Sequence, residues 1–314
     1  MERRLFPDGG YYLDNGASVC GPCHILAEQT RISPEILRKD AGIERVILPP
    51  HLYSDQPYDK WGNPLLPDGR RLRGELFFDE SVQKILKEGG VLPLFTHWVK
   101  YPRTYHLPWS PGVGKDDRVL PNTKMFEGSE VVVTIKMDGE NTTMYRDHIH
   151  ARSVDSGGHP SRAYAKAIHG RIAHDIPDFW RVCVENLFAK HSIKYGGPGH
   201  EDLPSCVMGF SVWDEKNWCL GWDETLEWLD LLGLPHVPVL YEGLYDEKRI
   251  KEAFAAYKSP FSSEVEGYVI RLRTTFRYAD FRNVVGKYVR EGHVHTHGHW
   301  MRQRIEPNGF RGMS

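Results

Sequence analysis

The segment Lys136-Met137-Asp138-Gly139-Glu140-Asn141 sets a lysine at the end of an apolar run and follows it with a carboxylate and a glycine. A lysine held at a strand end beside phosphates and a bound metal can lose its proton, because desolvation and nearby positive charge both lower its pKa. The neutral amine is then a nucleophile. Gly139 lets the backbone turn closely past a ligand, and the Asn141 amide can orient a sugar or a phosphate. The same residues also fit a plain β-turn carrying an incidental lysine, so a motif this short waits on its context.

Three other segments carry residue types that could do chemistry. Asn15 followed by Cys20-Gly21-Pro22-Cys23-His24 resembles the second half of an HNH or zinc-ribbon module, with Cys20 and Cys23 as its candidate Zn²⁺ ligands. Zinc takes four ligands, and structural sites pair two such halves. No upstream Cys-x-x-Cys exists, and Cys183, Cys206 and Cys219 lie far along the chain, so an incomplete fragment without zinc or nuclease activity is the expectation. Pro111-Gly112-Val113-Gly114-Lys115 has the flavour of a phosphate loop, but its spacing fails and Asp116 stands where Ser or Thr is needed. It reads as a plain loop. His293, His295, His297 and His299 alternate, and on a strand they would share one face and could bind metal. A solvated tail is the preferred reading.

The elements that must position Lys136 are mixed. Val131–Ile135 is β-branched and too short for a helix, so it reads as a buried strand. Asn141–Tyr145 and Ile149–Val154 read as further strands around a turn at Arg146-Asp147, as do the start of Phe179–Ala189, Val207–Asp214, Gly267–Arg273 and Asn283–Val289. Helices are expected from Pro34 behind a Ser33 cap, over Glu80–Glu88 ending at Gly89-Gly90, over Arg162–Asp175, over Trp222–Leu232 ending at Gly233, and over Asp246–Tyr257. Asp59–Pro64 reads as a surface loop. No regular βαβ repeat emerges, which favours an α+β fold over a doubly wound sheet.

Composition sets the outer bounds. The 314 residues carry a formal net charge of -2, with 40% hydrophobic and 12% aromatic residues. That is an ordinary folded chain with enough length for a substantial core. Near-neutral charge argues against a generic nucleic-acid binder, whose affinity comes mostly from phosphate contacts. It leaves room for a local patch, and Lys100, Arg103, Arg118, Arg152, Arg162, Lys166 and Arg171 are candidates, as are Arg271, Arg273, Arg277, Arg282, Lys287 and Arg290. No long apolar run suggests a transmembrane helix, and the N-terminus lacks the apolar centre of a signal peptide. Five cysteines over this length make a reducing cytoplasm the expectation.

The company Lys136 keeps supplies the context. Arg181-Val182-Cys183-Val184-Glu185-Asn186-Leu187-Phe188-Ala189, Phe210-Ser211-Val212-Trp213-Asp214, Glu264-Val265-Glu266-Gly267-Tyr268-Val269 and Val284-Val285-Gly286-Lys287-Tyr288 follow it in that order. Together with the lysine segment they resemble motifs I, III, IIIa, IV and V of the covalent nucleotidyltransferases: RNA ligases, DNA ligases and RNA capping enzymes. Glu185, Phe210, Glu266 and Lys287 each have a bland reading alone, but the ordered set is poorly explained by separate accidents. The likeness runs over roughly residues 96–290. Within the superfamily the chain is most similar to the RNA ligase 2-like group, through the entry segment Lys100-Tyr101-Pro102-Arg103-Thr104-Tyr105-His106-Leu107. Only 27 residues follow Lys287, too few for the C-terminal OB domain of DNA ligases and capping enzymes.

The resemblance implies a nucleotidyltransferase (adenylyltransferase) fold of ATP-grasp-like antiparallel sheets with flanking helices, plus a small N-terminal segment. The expected layout is a zinc-ribbon-like fragment over 1–30, a connecting region over 31–95, the ligase domain over 96–292 and a His-rich tail over 293–314. The expected activity is that of an ATP-dependent RNA ligase forming lysyl-AMP and joining a 5′-phosphate RNA end to a 3′-hydroxyl in RNA repair. By the same resemblance Lys136 is the nucleophile, Glu266 holds Mg²⁺ or Mn²⁺, and Lys287 contacts the α-phosphate. Asp138, Gly139, Asn141, Arg152, Glu185 and Phe210 complete nucleotide binding, the glutamate on the ribose and the aromatic on the purine. Two departures stand out. Ile135 replaces a glutamate common before the nucleophile, which puts purine choice in doubt, and Val285 replaces the first of two lysines common in motif V. The rival readings are a DNA-sealing or GTP-using capping-type enzyme, and an inactive ligase-fold adaptor that binds nucleic acid.

Overall fold

The computed structural model describes residues 16–32, 34–43, 57–114, 117–154, 156, 158–292 and 305–311. Ser33, Asn15, Lys115, Asp116 and the histidines at 293–299 lie outside the described residues, and with them the readings placed there. The chain divides into two units, one of residues 1–99 with 215–217 and one of 100–214 with 218–314.

The first unit holds helices α1 (Gly21–Glu28), α2 (Pro34–Asp40) and α3 (Glu80–Glu88). The Asp79 carboxylate caps α3 by accepting from the Ser81 and Val82 N–H groups, and Gly89 ends it. Val82 and Leu86 of α3 pack with Trp61, Phe77 and Val91 in a small core. The Asp59–Pro64 stretch corrects an expectation: Asp59, Trp61 and Asn63 are all buried. Turn chemistry usually marks a surface loop, but here the polar groups satisfy one another. Asp59 accepts from the Trp61 and Asn63 N–H groups and pairs with Arg71 at 3.2 Å, while Asn63 Oδ1 accepts from Gly74 N–H. A loop whose donors and acceptors are paired internally can be buried without the penalty of orphaned groups.

The second unit contains strands β1 (Tyr105–His106), β2 (Glu130–Lys136), β3 (Glu140–Tyr145), β4 (Ile149–Ala151), β5 (Arg181–Asn186), β6 (Val207–Trp213), β7 (Trp218–Cys219), β8 (Val239–Leu244), β9 (Gly267–Leu272), β10 (Phe276–Arg277) and β11 (Val285–Val289). Helices α4 (Ala163–Ile172), α5 (Trp222–Leu231) and α6 (Glu247–Ala256) flank them. The strands form a five-stranded sheet in the order β1-β11-β9-β2-β8 and a six-stranded sheet in the order β10-β7-β6-β5-β3-β4. All named pairs are antiparallel except β1 with β11. The fold is thus α+β with antiparallel-rich sheets.

Strand β2 is buried from Val131 to Ile135, with only Thr134 polar there, because both its faces are covered. Val131 and Val133 join a core with Leu107, Phe126, Ile250 and Tyr268, while Thr134 and Lys136 share the opposite face. A larger core on the six-stranded sheet takes in Val182, Val184, Val207, Val212, Leu229 and Phe310. The presence of Phe310 there overturns part of the expected C-terminal tail. Residues 305–311 bridge to Ala189 and Leu203, and the buried Asn308 side chain bonds Tyr195 N–H and the Leu187 carbonyl. β4 stops at Ala151, short of the expected Val154, which leaves Arg152 in irregular backbone. Among the described residues no helix is long and apolar enough to cross a membrane. All five cysteines are free.

Candidate active site

A cavity of about 780 Å³ opens between the two sheets of the second unit. Lys136 and Lys287 enter it from the five-stranded sheet, and Asn141, Glu185 and Phe210 from the six-stranded one, with Gly139 on the β2–β3 turn and Arg152 beyond β4. Two glycines make the convergence possible. A Cβ at Gly139 would sit 2.5 Å from the Asn186 carbonyl oxygen, so only glycine lets the turn after Lys136 lie against β5. There its N–H donates to Glu185 Oε1 at 3.1 Å. A Cβ at Gly267, the register partner of Lys136, would sit 1.9 Å from the Tyr288 carbonyl oxygen, so β9 and β11 approach closely just where Glu266 leads into β9.

Glu266 is buried, and its Oε1 lies 2.6 Å from Lys136 Nζ. Burial opposes the charge on Lys136, yet Glu266, Glu185 and Asp138 together outweigh it and hold the pKa above its ordinary value. Without a nucleotide the nucleophile candidate is therefore a protonated ammonium, which sharpens the expectation of a depressed pKa: lowering it requires added positive charge near Glu266. Burial pushes the Glu185 carboxyl up to about 8, with Glu266 and Asp138 adding to that rise and Lys136 opposing it. Burial likewise lowers the pKa of Lys287, partly offset by Asp117 at 3.3 Å. Burial and the neighbouring Arg103 lower that of Arg152.

Phe210 is braced by Tyr101, whose ring meets it edge-on at a centroid distance of 5.4 Å. A planar base has an aromatic face to lie on there. Asn141 Oδ1 is buried with no hydrogen-bond partner among the described residues and belongs to a residue lining the cavity. A buried acceptor left open in this way suits a ligand donor such as a sugar hydroxyl. Asp138, like Glu266, does not line the cavity. Its N–H donates to Tyr195 Oη, and its carboxylate accepts from the Ser192 and Ile193 N–H groups at 2.7 Å each. It fastens the segment after β5 to the lysine turn and so carries His191 to the cavity wall.

His191, Tyr101, His106 and Asp117 were not singled out by residue type and spacing. The signal for Asp117 lay in the Gly-rich segment rejected as a phosphate loop. For His191 there was only its place shortly after Glu185.

Among the described residues no group of three or more His, Cys, Asp or Glu side chains could hold a metal ion. Mg²⁺ does not need such a cage, because it keeps water and binds one or two carboxylates together with substrate phosphates. Glu266, buried and 2.6 Å from the Lys136 ammonium, fits that donor set. Cys20 is the N-cap of α1, Cys23 lies within the helix, and His24 sits 3.4 Å from Glu28. These residues do not form a zinc set among the described residues.

The sequence model of the RNA ligase family matches residues 129–289, just over half of the 314 residues. The chain belongs to the RNA ligase family. The match spans Lys136, Glu185, Phe210, Glu266 and Lys287, whereas Tyr101, His106 and Asp117 precede it. Among solved structures, this ligase-family chain is similar to a Naegleria gruberi RNA ligase with pyrophosphate, at 19% identity and a TM-score of 0.43, over 62% of this chain and 56% of that one. A variant of that ligase with ATP and manganese matches at 18% identity and a TM-score of 0.42, over 62% and 57%. An archaeal ATP-dependent RNA ligase matches at 14% identity and a TM-score of 0.43, over 86% of this chain and 64% of that one. The chain thus spans less than two-thirds of each of these structures. No curated protein matches it.

Proposed function

We propose that this member of the RNA ligase family is an ATP-dependent RNA ligase that works through AMP bonded to Lys136. The observation that carries the reading is the convergence of Lys136, Glu185, Phe210 and Lys287 on one cavity from both sheets, with Glu266 paired to Lys136 at 2.6 Å. Phe210 offers its ring to the purine, and Asn141 and Glu185 face the ribose. Lys287 and Arg152 supply fixed positive charge for phosphate oxygens, and such preorganised charge is usually the largest contribution in phosphoryl transfer.

In the first step Lys136 Nζ attacks the α-phosphorus of ATP. The N–P bond forms, the bond from the α-phosphorus to the bridging oxygen breaks, and pyrophosphate leaves. The Lys136 proton must depart first, and Glu266 is the group nearest to it. In the second step an oxygen of an RNA 5′-phosphate displaces Lys136 from that phosphorus, giving a 5′-5′ pyrophosphate linkage. In the third the 3′-hydroxyl attacks the RNA 5′-phosphorus, a proton is lost and AMP leaves. A divalent ion held by Glu266 supplies charge neutralisation at the phosphates. Lys287, fixed on β11, keeps the α-phosphate in line during the first two attacks.

The deciding experiment is incubation of the full chain with Mg²⁺ and ATP or GTP labelled at the α-phosphate, followed by denaturation. Label from ATP that survives and is absent in Lys136→Ala supports the proposal. Label from GTP alone makes it a capping-type enzyme, and no label from either leaves a nucleic-acid-binding adaptor. Nicked RNA compared with nicked DNA then decides the polymer.

A further inference from the structure

Lys287 does not stand alone in the cavity. Its ammonium lies 3.3 Å from Asp117 Oδ1, and the other carboxylate oxygen of Asp117 lies 3.1 Å from His106 Nε2, close but not aligned as a hydrogen bond. His106 is 1% exposed. Its Nδ1 meets Ser110 Oγ at 2.8 Å, and Ser110 Oγ in turn accepts from Val289 N–H at 2.9 Å. Val289 is on β11, two residues beyond Lys287, so the contacts run from the lysine through Asp117, His106 and Ser110 back to the lysine's own strand.

The backbone closes the same ring. His106 is the register partner of Lys287 in the β1–β11 pair, and Leu107 N–H donates to the Lys287 carbonyl at 2.7 Å. Immediately after Asp117 the chain is tied to β1. His106 N–H donates to the Arg118 carbonyl, and Leu120 N–H donates to the His106 carbonyl, both at 2.7 Å. Asp117 Oδ2 also accepts from Gly114 N–H at 3.1 Å. An exposed Lys–Asp pair would restrain little, because solvent screens it and two long side chains must be ordered. This one is built on a buried imidazole and two backbone ladders.

We propose that Asp117 is a positioning residue for Lys287, holding its ammonium in the cavity while the Gly114 N–H and the adjacent His106 imidazole fix the carboxylate. The proposal rests on the reading of Lys287 as the α-phosphate contact. Lysine has a flexible four-carbon stem, and misplacing a reacting group by about 1 Å costs on the order of a hundredfold in rate. The fixed carboxylate supplies the restraint that the stem lacks. The charged groups acting on Lys287 include Asp117, Lys136 and Glu266, and those acting on Asp117 include Lys287, His106 and Arg152.

The test is a double-mutant cycle on the full chain, read as the rate of covalent labelling by ATP. Asp117→Asn is expected to lower the kcat of labelling about tenfold, a fraction of the loss expected for outright misplacement, without raising the KM for ATP. Asp117→Glu should recover most of it, and Asp117→Asn should cost nothing further in a Lys287→Ala background. An equal loss in that background, or a raised KM with unchanged kcat, overturns the proposal. A second readout needs no nucleotide: acetylation of Lys287 by an amine-directed reagent, followed by peptide mass. Removing the carboxylate that supports its charge should make Lys287 react faster at pH 8, and an unchanged rate means Asp117 does not hold it. If the unaltered chain is never labelled, the ligase reading fails by itself while the acetylation result still decides the contact.

Discussion

Lys136 and Lys287 face one cavity from strands on either side of β9, yet their surroundings push them in opposite directions. Lys136 pairs with a buried carboxylate at 2.6 Å and has further acids behind it, so its pKa is raised despite burial. Lys287 pairs at 3.3 Å with a less buried Asp117 and feels the charge of Lys136, so burial wins and its pKa falls. The difference separates two jobs that one residue type can do. A nucleophile must be kept protonated until substrate charge is in place, or it would react unselectively. A phosphate contact needs only to be charged and well aimed. Glu266 serves the first need because a divalent ion bound to it would take away the main influence holding the proton on Lys136.

The sharpest way to break this comparison is to replace each lysine by arginine. Arginine keeps the charge but is not a nucleophile, since its guanidinium stays protonated throughout the working pH range. Lys136→Arg should abolish covalent labelling. Lys287→Arg should retain activity within about tenfold, while Lys287→Ala should lose on the order of a hundredfold, as when one preorganised donor is removed. Equal loss in both arginine variants would show that Lys287 does more than supply charge. Glu266→Gln comes next. It removes the carboxylate proposed to hold the metal and should reduce labelling by about 10²–10³-fold, with excess Mg²⁺ restoring part of the rate. Acetylation of Lys136, measured without nucleotide, should rise in the same variant, because the carboxylate that raises its pKa is gone.

The parts of this site that were legible in the sequence are those in which a side chain's own position carries the chemistry. Lys136, Glu266 and Lys287 sit at strand ends or within short strands whose β-branched composition is unambiguous, so motif and element could be read together. Asp138 was legible as a residue but not as a role. Whether a carboxylate beside a nucleophile turns to the ligand or to a backbone turn depends on Ser192 and Ile193, over fifty residues away. Asp117 and His106 were illegible for the same reason. Their meaning comes from the parallel β1–β11 pair, and a strand as short as Tyr105–His106 leaves no periodic trace. The edge strand β8 escaped because it is half exposed and contains Gly243, against the usual strand pattern. Phe310 was hidden in a short terminal segment of irregular backbone, where it and Ile305 show no helix or strand periodicity.

The smallest expected effects are on stability, and they should differ in sign between the acids beside the two lysines. Glu185 titrates near 8 in the folded chain, against an ordinary value of 4.5. Between those values the folded state holds a proton that the unfolded state has released, so stability falls as pH rises through that window. Glutamine is neutral throughout. Glu185→Gln should therefore raise the Tm at pH 8.5 and leave it close to the unaltered chain at pH 4, with each kcal/mol worth about 2–4 °C in a unit of this size. Asp117 has the opposite shift: burial would raise its pKa, but Gly114, Lys287 and His106 together lower it. Its contribution is present above its ordinary pKa and is lost as pH falls through the folded value. Asp117→Asn should accordingly lower the Tm at neutral pH, with the deficit shrinking toward pH 3. Melting curves of both variants between pH 3 and 8.5 decide the matter. Shifts of the same sign at pH 8.5 would mean that the two acids share one electrostatic environment, and the contrast between the lysines they face would lose its physical basis.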